Sequence, residues 1–454
     1  MKRKLMIVFL VLLTGFLVWR FVRPMNIFIV SDRFAWPVDT SKSAGVISNL
    51  SAVSCGRCHP AFYREWKTTI HSRAWLDSYF QADWQFDGSQ ANCRLCHTPL
   101  DKQQPQTVLA YRDADKWDPV LKDNPSFDQN LQHQGVTCAA CHYREGKIVG
   151  VLSNVQAPHP VKKLADPNQI CVRCHIVKGK RWDTFFRFPP CGTVAEIRQT
   201  QAKKISAMDS KNKSETGLTL SATKSVREIS SRPEIMSETG SSGEVAVPDY
   251  HSLGCVQCHM PVVERPLVTG GKIRSTRHHY WRGGHDPEMV KKALRIHFSE
   301  YRQNVSDTSQ PDNDRSENSR HKRVFRLTIT NTGAEHYLPT GTPDRYLQVR
   351  FRLLDKKGQV LDEQRDTIKR TVMWRPFIMD LWDTRLRRRI PRHYDFIVDK
   401  NKLDNNTAVK VEAVVSYHLL DEKRRQRIHY KNKTAISYII FQQEILLSAG
   451  DTEK

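Results

Sequence analysis

The chain carries the pattern Cys-x-x-Cys-His five times, and no other feature constrains its fold as strongly. Motifs 1 to 5 are, in chain order, Cys55/Cys58/His59, Cys93/Cys96/His97, Cys138/Cys141/His142, Cys171/Cys174/His175 and Cys255/Cys258/His259. Two thiols followed at once by an imidazole are typical of covalent haem attachment, in which both sulfurs form thioethers and the histidine binds iron from one side. The sequence therefore predicts five haem c groups, with His59, His97, His142, His175 and His259 as proximal ligands.

Zinc sites and disulfides also use Cys-x-x-Cys pairs, but neither needs the histidine that follows every pair here. With 18 histidines in 454 residues, five such histidines would arise by chance with odds on the order of one in ten million. Ten of the eleven cysteines lie in the motifs, so no separate disulfide framework is expected. Cys191, the remaining cysteine, is interpreted as a small buried apolar side chain.

The length of the chain limits the number of domains, and its net charge limits the classes of partner. A chain of 454 residues has room for two or three domains. The formal charge is +23, and ten ionised haem propionates would reduce it to about +13 (23 − 10). A field of that size favours acidic redox partner proteins or anionic membrane surfaces. Nucleic acid is excluded as a partner, since thioether attachment of haem belongs outside the cytoplasm.

The N-terminus predicts a membrane anchor over residues 1–23. Met-Lys-Arg-Lys precedes an apolar run from Leu5 to Trp19, and Arg20 and Arg23 follow it. No small-residue cleavage site is visible, so an uncleaved anchor is favoured over a cleaved signal peptide. The basic residues before the run stay on the cytoplasmic side. We therefore expect an inner-membrane protein with the bulk of its chain in the periplasm.

Composition divides the rest of the chain into segments. Residues 24–50 are predicted to be a tether, and residues 51–300 to be the pentahaem cytochrome domain. Within it, about 196–248 is rich in Ser, Lys, Thr and Glu, which favours a flexible insertion. A polar linker at 301–320 precedes a β-rich domain at 321–450.

Hydrophobic periodicity predicts the fold class. Alternation of period two predicts strands at Val324–Thr330, Tyr346–Leu353 and Val409–Tyr417, and Ile436–Leu447 is rich in β-forming residues. We expect an α+β protein, in which short helices and loops surround the haems and an antiparallel β-sandwich-like domain follows.

Two helices are predicted in the motif-bearing part. One covers Pro60 to Phe80, where apolar residues recur at helical spacing. The other begins at Asp286-Pro287-Glu288, an N-cap followed by a first-turn proline and acid, and runs to about His297.

Thirteen histidines remain as candidates for the second axial position on iron. Four of them (His321, His393, His418, His429) lie in or beside the β-rich part and are interpreted as surface or structural residues. Nine are left: His71, His133, His159, His251, His278, His279, His285, His297 and His336. Methionine, the other common donor, occurs only nine times and mostly elsewhere, so bis-histidine ligation and low potentials are favoured. The distal ligands selected are His71, His159, His251, His279 and His285, with His133 in reserve.

His71 is expected to serve a haem other than the one held by motif 1. On one helix it would lie twelve residues beyond His59, about 18 Å along the axis. That distance is too long to reach the opposite face of the same haem, so His71 would bind a neighbouring haem and lock the two together.

Several segments resemble the multihaem cytochromes c of the c-554 type. They are Tyr63-Arg64-Glu65-Trp66 with His71-Ser72-Arg73-Ala74, Gly135-Val136-Thr137-Cys138, His259-Met260-Pro261 and His279 to Asp286. Asn331-Thr332-Gly333-Ala334-Glu335-His336 is similar to a motif in β-rich domains appended to such cytochromes. The resemblance implies periplasmic electron transfer through mainly bis-histidine haems, often in anaerobic nitrogen, sulfur or metal respiration. His336 either reaches a haem or organises its own turn.

Two classes of function follow as expectations. The first is an electron carrier between a membrane quinol or dehydrogenase system and a periplasmic acceptor. The second is a reductase of a small nitrogen or sulfur compound at one haem with an open distal position. In the pentahaem nitrite reductases a lysine replaces the proximal histidine of the active haem, whereas all five motifs here carry histidine. Electron transfer is therefore favoured over catalysis, and no catalytic residue is assigned.

Overall fold

The computed structural model describes most of the chain. The described residues are 2–22, 26–42, 44–45, 47, 49–152, 156–177, 184–185, 188–202, 253–301, 322–399 and 408–447. The predicted flexible insertion at 196–248 lies mostly outside them, although residues 193–202 at its start are helical. His251, a predicted ligand, and the linker at 302–320 also lie outside the described residues.

The first helix, α1 (Lys2–Val22), is long and apolar enough to cross a membrane by length and composition. Its 21 residues span about 31 Å, close to the thickness of a bilayer's hydrocarbon core. Only Arg20 of this helix is buried against the rest of the protein. The helix therefore projects from the molecule and contacts it at its last turn.

Each of the five motifs lies on a short helix that ends at, or one residue before, its histidine. The helices are α2 (Ala52–Cys58), α5 (Arg94–His97), α7 (Cys138–His142), α8 (Asn168–His175) and α10 (Cys255–His259). In α2 the histidine is the C-cap, with its backbone N–H donating to Cys55. A single helical turn brings the two cysteines and the histidine to one side, which is the local geometry that the motif requires.

The predicted helix from Pro60 to Phe80 is wrong, since the chain forms two helices there: α3 (Pro60–Lys67) and α4 (Ser78–Phe86). Between them the hydroxyls of Thr68 and Thr69 donate to the carbonyls of Glu65 and Trp66, at 2.8 and 2.7 Å. Such local side-chain bonds compete with the helical ladder. Asp77 then caps α4 by accepting from the backbone N–H of Phe80.

Small elements fill the remainder of the motif-bearing part. They are α6 (Gln129–Gln132), the residue 193–202 helix (α9), the antiparallel pair β1 (Gln106–Tyr111) and β2 (Pro119–Asp123), the sheet of β3 (Tyr143–Arg144), β4 (Lys147–Gly150) and β5 (Val161–Lys163), and the pair β7 (Val262–Pro266) and β8 (Ile273–Arg277). We refer to residues 49–293 as the motif region.

Two larger sheets make up the β region, residues 294–447. One has the order β14-β10-β9, and the other the order β16-β15-β11-β12-β13-β6. The strands are β6 (Thr184–Phe185), β9 (Leu294–Tyr301), β10 (Lys322–Asn331), β11 (Tyr346–Asp355), β12 (Val360–Met373), β13 (Ile378–Asp383), β14 (Arg392–Asp399), β15 (Ala408–His418) and β16 (Ser437–Leu446), and a short helix α12 (Glu422–Arg427) precedes β16. All neighbours are antiparallel except β13 and β6. The three strands predicted from alternation are confirmed as β10, β11 and β15, and the segment rich in β-forming residues is confirmed as β16.

Side chains from both sheets meet in one large hydrophobic cluster. Phe351 of β11, fully buried, lies 6.0 Å from Phe298 of β9 and 5.5 Å from Phe396 of β14, measured between ring centroids. Leu327 and Val349 belong to the same cluster. The inward faces of the two sheets therefore form a continuous apolar core.

The helix that begins at Asp286 is shorter than expected. Asp286 is the N-cap and accepts from the backbone N–H of Met289, as predicted, but α11 (Pro287–Ala293) ends four residues before His297. His297 instead lies on β9, opposite Thr328 of β10. The three-stranded sheet thus takes one strand from the segment that the sequence assigned to the cytochrome domain.

Candidate functional site: five motif histidines and their neighbours

Four of the five motif histidines are oriented by the same kind of hydrogen bond. The Nδ1 atoms of His59, His97, His142 and His259 lie 2.7, 2.7, 2.8 and 2.7 Å from the backbone carbonyl oxygens of Leu267, Ala74, Val149 and Arg282. A carbonyl only accepts, so each Nδ1 carries the proton. The lone pair of the imidazole is then on Nε2, the arrangement found in metal-binding histidines held by an outer hydrogen bond.

Desolvation favours the neutral form of three motif histidines, His97, His142 and His175. Burial lowers the pKa of His97 and His142, and burial together with the nearby His259, Arg345 and His336 lowers the pKa of His175 to about 4. A neutral imidazole is the form that binds a metal ion.

The same three rings are not closed off from solvent. Although burial lowers their pKa values, His97 and His142 are half-buried and His175 is exposed. All ten motif cysteines are partly or fully exposed, and none forms a disulfide. Accessible free thiols followed in sequence by neutral imidazoles fit the donor set that thioether attachment and iron ligation require.

The second cysteines of motifs 1 and 5 differ from the other motif cysteines in their exposure. Cys58 and Cys258 are exposed, whereas the remaining eight are half-buried. A residue that holds a cofactor usually faces the protein interior, so the exposure of Cys258 departs from that expectation. The reason lies in α10, where only Val256 is buried, so that much of this helix faces solvent. Cys258 keeps its predicted role as an attachment residue, at a motif that is more accessible than motifs 2 to 4.

Two pairs of histidine rings have the separation expected for ligands on opposite sides of one metal ion. The ring centroids of His142 and His279 are 6.0 Å apart with an interplanar angle of 24°, and those of His259 and His336 are 6.4 Å apart at 10°. Metal–imidazole bonds of about 2.0–2.1 Å, as for zinc, plus about 1.1 Å from ring nitrogen to centroid, give about 6.3 Å. In both pairs the second ring is anchored like the first, since Nδ1 of His279 bonds the Arg277 carbonyl and Nδ1 of His336 that of Tyr337, each at 2.9 Å.

Glu65 holds the segment that carries His279. Its buried carboxylate accepts two hydrogen bonds from Arg265, at 2.6 and 2.9 Å, and bonds His278 Nδ1 and the backbone N–H of His279 at 2.6 and 2.7 Å. Burial raises the pKa of Glu65, but these donors outweigh it and hold the pKa at about 2. The ionised carboxylate therefore fixes the backbone from which the His279 ring projects.

Two buried polar residues hold the turn that carries His336. Asn331 is fully buried, and its side chain donates to the His336 carbonyl at 3.0 Å while accepting from the Ala334 N–H. Glu196 on α9 accepts from the backbone N–H of Tyr337 at 3.1 Å and pairs with Arg385 at 2.6 Å. The β region thus presents His336 to the motif region on a braced turn.

The motif helices pack against one another in a defined order. The side chains of Cys55 and Cys138, of Cys96 and Cys174, and of Cys171 and Cys255 lie close to one another. The corresponding helix pairs α2–α7, α5–α8 and α8–α10 are in contact. Motif 1 therefore adjoins motif 3, and motif 4 adjoins both motif 2 and motif 5.

His71 lies at the junction of several motifs. Its backbone carbonyl accepts from the N–H of Val136, two residues before motif 3, at 2.9 Å. Gly135 makes this approach possible, because its φ is +60° and a Cβ there would lie 2.7 Å from the same carbonyl oxygen. Desolvation, followed by the nearby His175, His259 and His97, lowers the pKa of His71 to about 4. His71 therefore lies close to motifs other than motif 1. The helix from which this was expected is wrong, however, since α3 ends at Lys67, before His71.

Three further candidates for the distal position, His285, His159 and His133, lie in different environments. His285 has its Nε2 3.5 Å from Nη2 of Arg345, so that nitrogen faces a cation. The Nδ1 of His159 is buried and has no hydrogen-bond partner within the described chain. His133 is an exposed C-cap of α6.

Sequence reasoning did not select several residues that shape the site. His336 was only an open alternative, and its one sequence signal was the Asn331–His336 motif. Phe80 was not considered, yet its ring stacks on His97 with centroids 3.6 Å apart. Glu65 appeared only within the resemblance, and nothing in the sequence shows its four hydrogen bonds, because their donors lie some two hundred residues away.

No protein-family model matches the chain, and no curated protein matches it. A solved structure does. The fold is similar to that of a penta-heme cytochrome c552 from Thermochromatium tepidum. The TM-score is 0.54 with 16% sequence identity, over 87% of this chain and 98% of that chain. The similarity extends across both the motif region and the β region, and at this level of identity it concerns the fold.

Proposed function

We propose that this chain is a multihaem cytochrome c that transfers electrons through five covalently bound haems. The observation that carries the proposal is the two pairs of imidazole rings at about the separation of ligands on opposite sides of one metal ion, His142 with His279 and His259 with His336, each of which includes a motif histidine. Haem c, when bound, supplies reversible one-electron oxidation and reduction of iron. The cysteines of each motif would hold the group covalently, and the carbonyl-anchored histidines would bind its iron.

The packing of the motif helices supports an electron path. Because motifs 1 and 3 adjoin and motif 4 adjoins motifs 2 and 5, groups attached to them would lie next to one another. His71, near motifs 2, 4 and 5, would serve as a distal ligand that joins these units. Motif histidines that have no such pair among the described residues would take their distal ligands from His159, His251 and His285, with His133 in reserve.

The exposed cysteines favour motifs 1 and 5 as the points where electrons enter and leave. Cys58 and Cys258 face solvent, so a haem edge attached to either would lie near the surface, within reach of a partner protein. The half-buried cysteines of motifs 2 to 4 would hold haems that pass electrons between these two ends.

The finer architecture follows the resemblance to c-554-type cytochromes. In this proposal the two sheets of the β region form a sandwich-like domain that contributes His336 to the fifth haem. The similarity of the fold to a penta-heme cytochrome c552 supports a multihaem cytochrome as the setting for this proposal.

Helix α1 would anchor the protein in the inner membrane, with the remainder in the periplasm. The anchor keeps the protein near a quinol-linked or dehydrogenase donor in the membrane. The strongly basic surface would attract an acidic periplasmic acceptor at rates that fall with ionic strength.

The paired rings give a spectroscopic test. Near-parallel imidazole planes at low-spin ferric haem produce rhombic electron paramagnetic resonance signals, whereas perpendicular planes produce highly anisotropic ones. We expect at least two rhombic low-spin signals, from motifs 3 and 5. Replacing His336 with methionine should raise one midpoint potential, by on the order of 0.1 V, and should remove one rhombic signal. A spectrum without rhombic low-spin signals, or an unchanged redox titration, would contradict the pairing.

A specific observation favours the reductase as a second candidate. Within the described chain no other histidine ring lies at pair distance from His175, while Arg345 is close enough to lower its pKa. Arg345 also contacts Tyr417 and His285, and it has no carboxylate partner among the described residues. A cation beside an open haem position would suit a small oxyanion. A high-spin ferric signal that shifts on adding nitrite would support this candidate, and fully low-spin haems that do not bind cyanide would exclude it.

A further inference from the structure

The last turn of α1 packs against the connection between β12 and β13. Nε of Arg20 donates to the Pro376 carbonyl at 2.9 Å, and Nη1 of Arg375 donates to the carbonyls of Arg20 and Phe21. The Arg20 guanidinium also lies over the ring of Phe377, 5.5 Å from its centroid. Cationic and backbone contacts therefore join the end of the helix to this connection.

Apolar side chains are exposed next to this contact. Leu381, Trp382 and Phe185 keep 46%, 59% and 56% of their surface exposed. Phe185 belongs to β6, which pairs with the start of β13, and its ring lies 6.4 Å from that of Phe377. We call these four residues, Phe185, Phe377, Leu381 and Trp382, the edge patch, since they lie at the β13–β6 edge of the six-stranded sheet.

The patch is continuous with a helix whose length and composition suit a bilayer. Phe16 on α1 lies 6.3 Å from Phe377, so the patch begins within two turns of the helix end. At the corresponding level of a membrane protein, tryptophan rings occupy the headgroup boundary and arginines extend toward water. Phenylalanine and leucine of interfacial segments lie at the boundary between headgroups and acyl chains. The edge patch combines these features, with Arg20 and Arg375 beside exposed aromatic rings.

We propose that the edge patch lies in the interface of the phospholipid bilayer and that the β region rests on the membrane by this edge. The inference rests on the proposed anchoring by α1. The occupant is lipid, since the contacts of Arg20 and Arg375 hold the patch next to the point where the helix would leave the bilayer. The opposite edge of the same sheet, formed by β16, would then face away from the membrane.

The two edges provide a matched comparison. Ile439 and Leu446 on β16 are 51% and 75% exposed, so they offer apolar surface similar to that of the patch, at the edge of the sheet away from α1. The full-length holoprotein would be placed in nanodiscs that contain a phospholipid with a photoactivatable diazirine on its acyl chain. After irradiation, adducts would be mapped by peptide mass spectrometry.

The proposal predicts adducts on α1 and, at several-fold higher yield than on β16, on the peptides that contain Phe377 to Trp382 and Phe185. A variant with Leu381→Ser and Trp382→Ser should lose the β13 adducts down to the β16 level, with an unchanged haem absorption spectrum. Adducts on α1 alone would overturn the inference and leave the anchor intact. Equal labelling of both edges would also overturn it. An absence of adducts on α1 as well would overturn the anchoring and this inference together.

Discussion

The motif region and the β region are stabilised in different ways. In the β region, residues such as Phe351 and Leu327 are fully buried and belong to one apolar cluster contributed by both sheets. In the motif region the apolar clusters are smaller and separate, for example the one around Leu100 and Tyr143 and the one around Val172 and Ile197. The ten motif cysteines of this region are partly or fully exposed.

The difference concerns what each region needs in order to fold. A β-sheet that buries alternate side chains against a second sheet supplies its own core. Short helices of four to eight residues are not stable alone, and the motif region has little apolar burial to compensate. In our proposal the haems serve as its missing core. The comparison therefore predicts that changes at the motifs act through haem content, whereas changes in the β region act through packing.

The largest effect is expected from removing one attachment site. The double substitution Cys138→Ala and Cys141→Ala removes both thiols of motif 3, so the chain should carry four covalent haems instead of five and should lose stability in the motif region. Haem stoichiometry is measured by the pyridine haemochrome assay. Cys191→Ala is the matched control, because this thiol belongs to no motif, and it should leave five haems. Five haems in the double variant would contradict the assignment.

A core substitution in the β region should have a different signature. Phe351→Ala removes a fully buried ring that contacts both Phe298 and Phe396. It should lower the free energy of unfolding by about 4 kcal/mol. Calorimetry should show the loss in a transition of the β region, while haem content stays the same. Loss of a haem from this variant would show that the two regions fold as one unit.

Breaking the Glu65 network tests the motif region without touching a cysteine. Glu65→Gln leaves Arg265 buried without its anion, and should lower stability by about 3 kcal/mol. It should also change the midpoint potential of one haem, because His279 loses its backbone support. Asp395→Asn is the control, since the Arg326–Asp395 pair is more exposed and should cost less than about 1 kcal/mol. Equal costs in the two variants would contradict the structural role of Glu65.

The smallest effect concerns pH and the contact between the regions. Burial, and then the nearby Asp83, raises the pKa of Asp344 from 3.8 to about 6, against the opposing Arg424 and a hydrogen bond from Tyr79. Asp83 and Tyr79 come from α4, whereas Arg424 and Asp421 lie in or beside α12. A raised carboxyl pKa stabilises the fold below pH 3.8, and this contribution is lost as pH rises through about 6.

Asp344→Asn should therefore match the parent protein near pH 4 and exceed its stability above pH 7 by at most about 3 kcal/mol. Thermal unfolding at both pH values, compared between variant and parent, measures the difference. A variant that is less stable than the parent at pH 7.5 would show that the ionised carboxylate is favourable, contrary to this account.

Local patterns predicted much of the fold, and long-range contacts account for the rest. Strands β10 and β11 bury alternate residues over most of their length. Strand β15 alternates in sequence, although residues 411–415 are all buried, so period two revealed all three strands. Strand β12 also alternates, but its residues Asp362 to Arg365 are polar on both faces, and no apolar pattern marks it. The break after Lys67 depends on which hydroxyls bond the backbone, and composition does not fix that choice.

The candidate site also has a part that local sequence patterns predict and a part that depends on long-range contacts. The five motifs are local, so the cysteines and proximal histidines could be read from spacing alone. Spacing did not reveal that Cys258 is exposed while Cys255 is half-buried, because exposure depends on what packs against α10. Distal partners depend on how distant segments meet, and a histidine on a turn of the β region, His336, was therefore not selected. His279 was selected because histidines cluster in its segment, but only the structure shows Glu65 holding that segment in place.

The central claim is that ten motif sulfurs bind five haems covalently. Intact-mass spectrometry of the purified, fully denatured and reduced protein tests it most directly, since thioethers survive this treatment whereas zinc and disulfides do not. The account predicts a mass equal to the polypeptide plus five haems. A mass equal to the polypeptide alone, from cells that mature other c-type cytochromes, would contradict it.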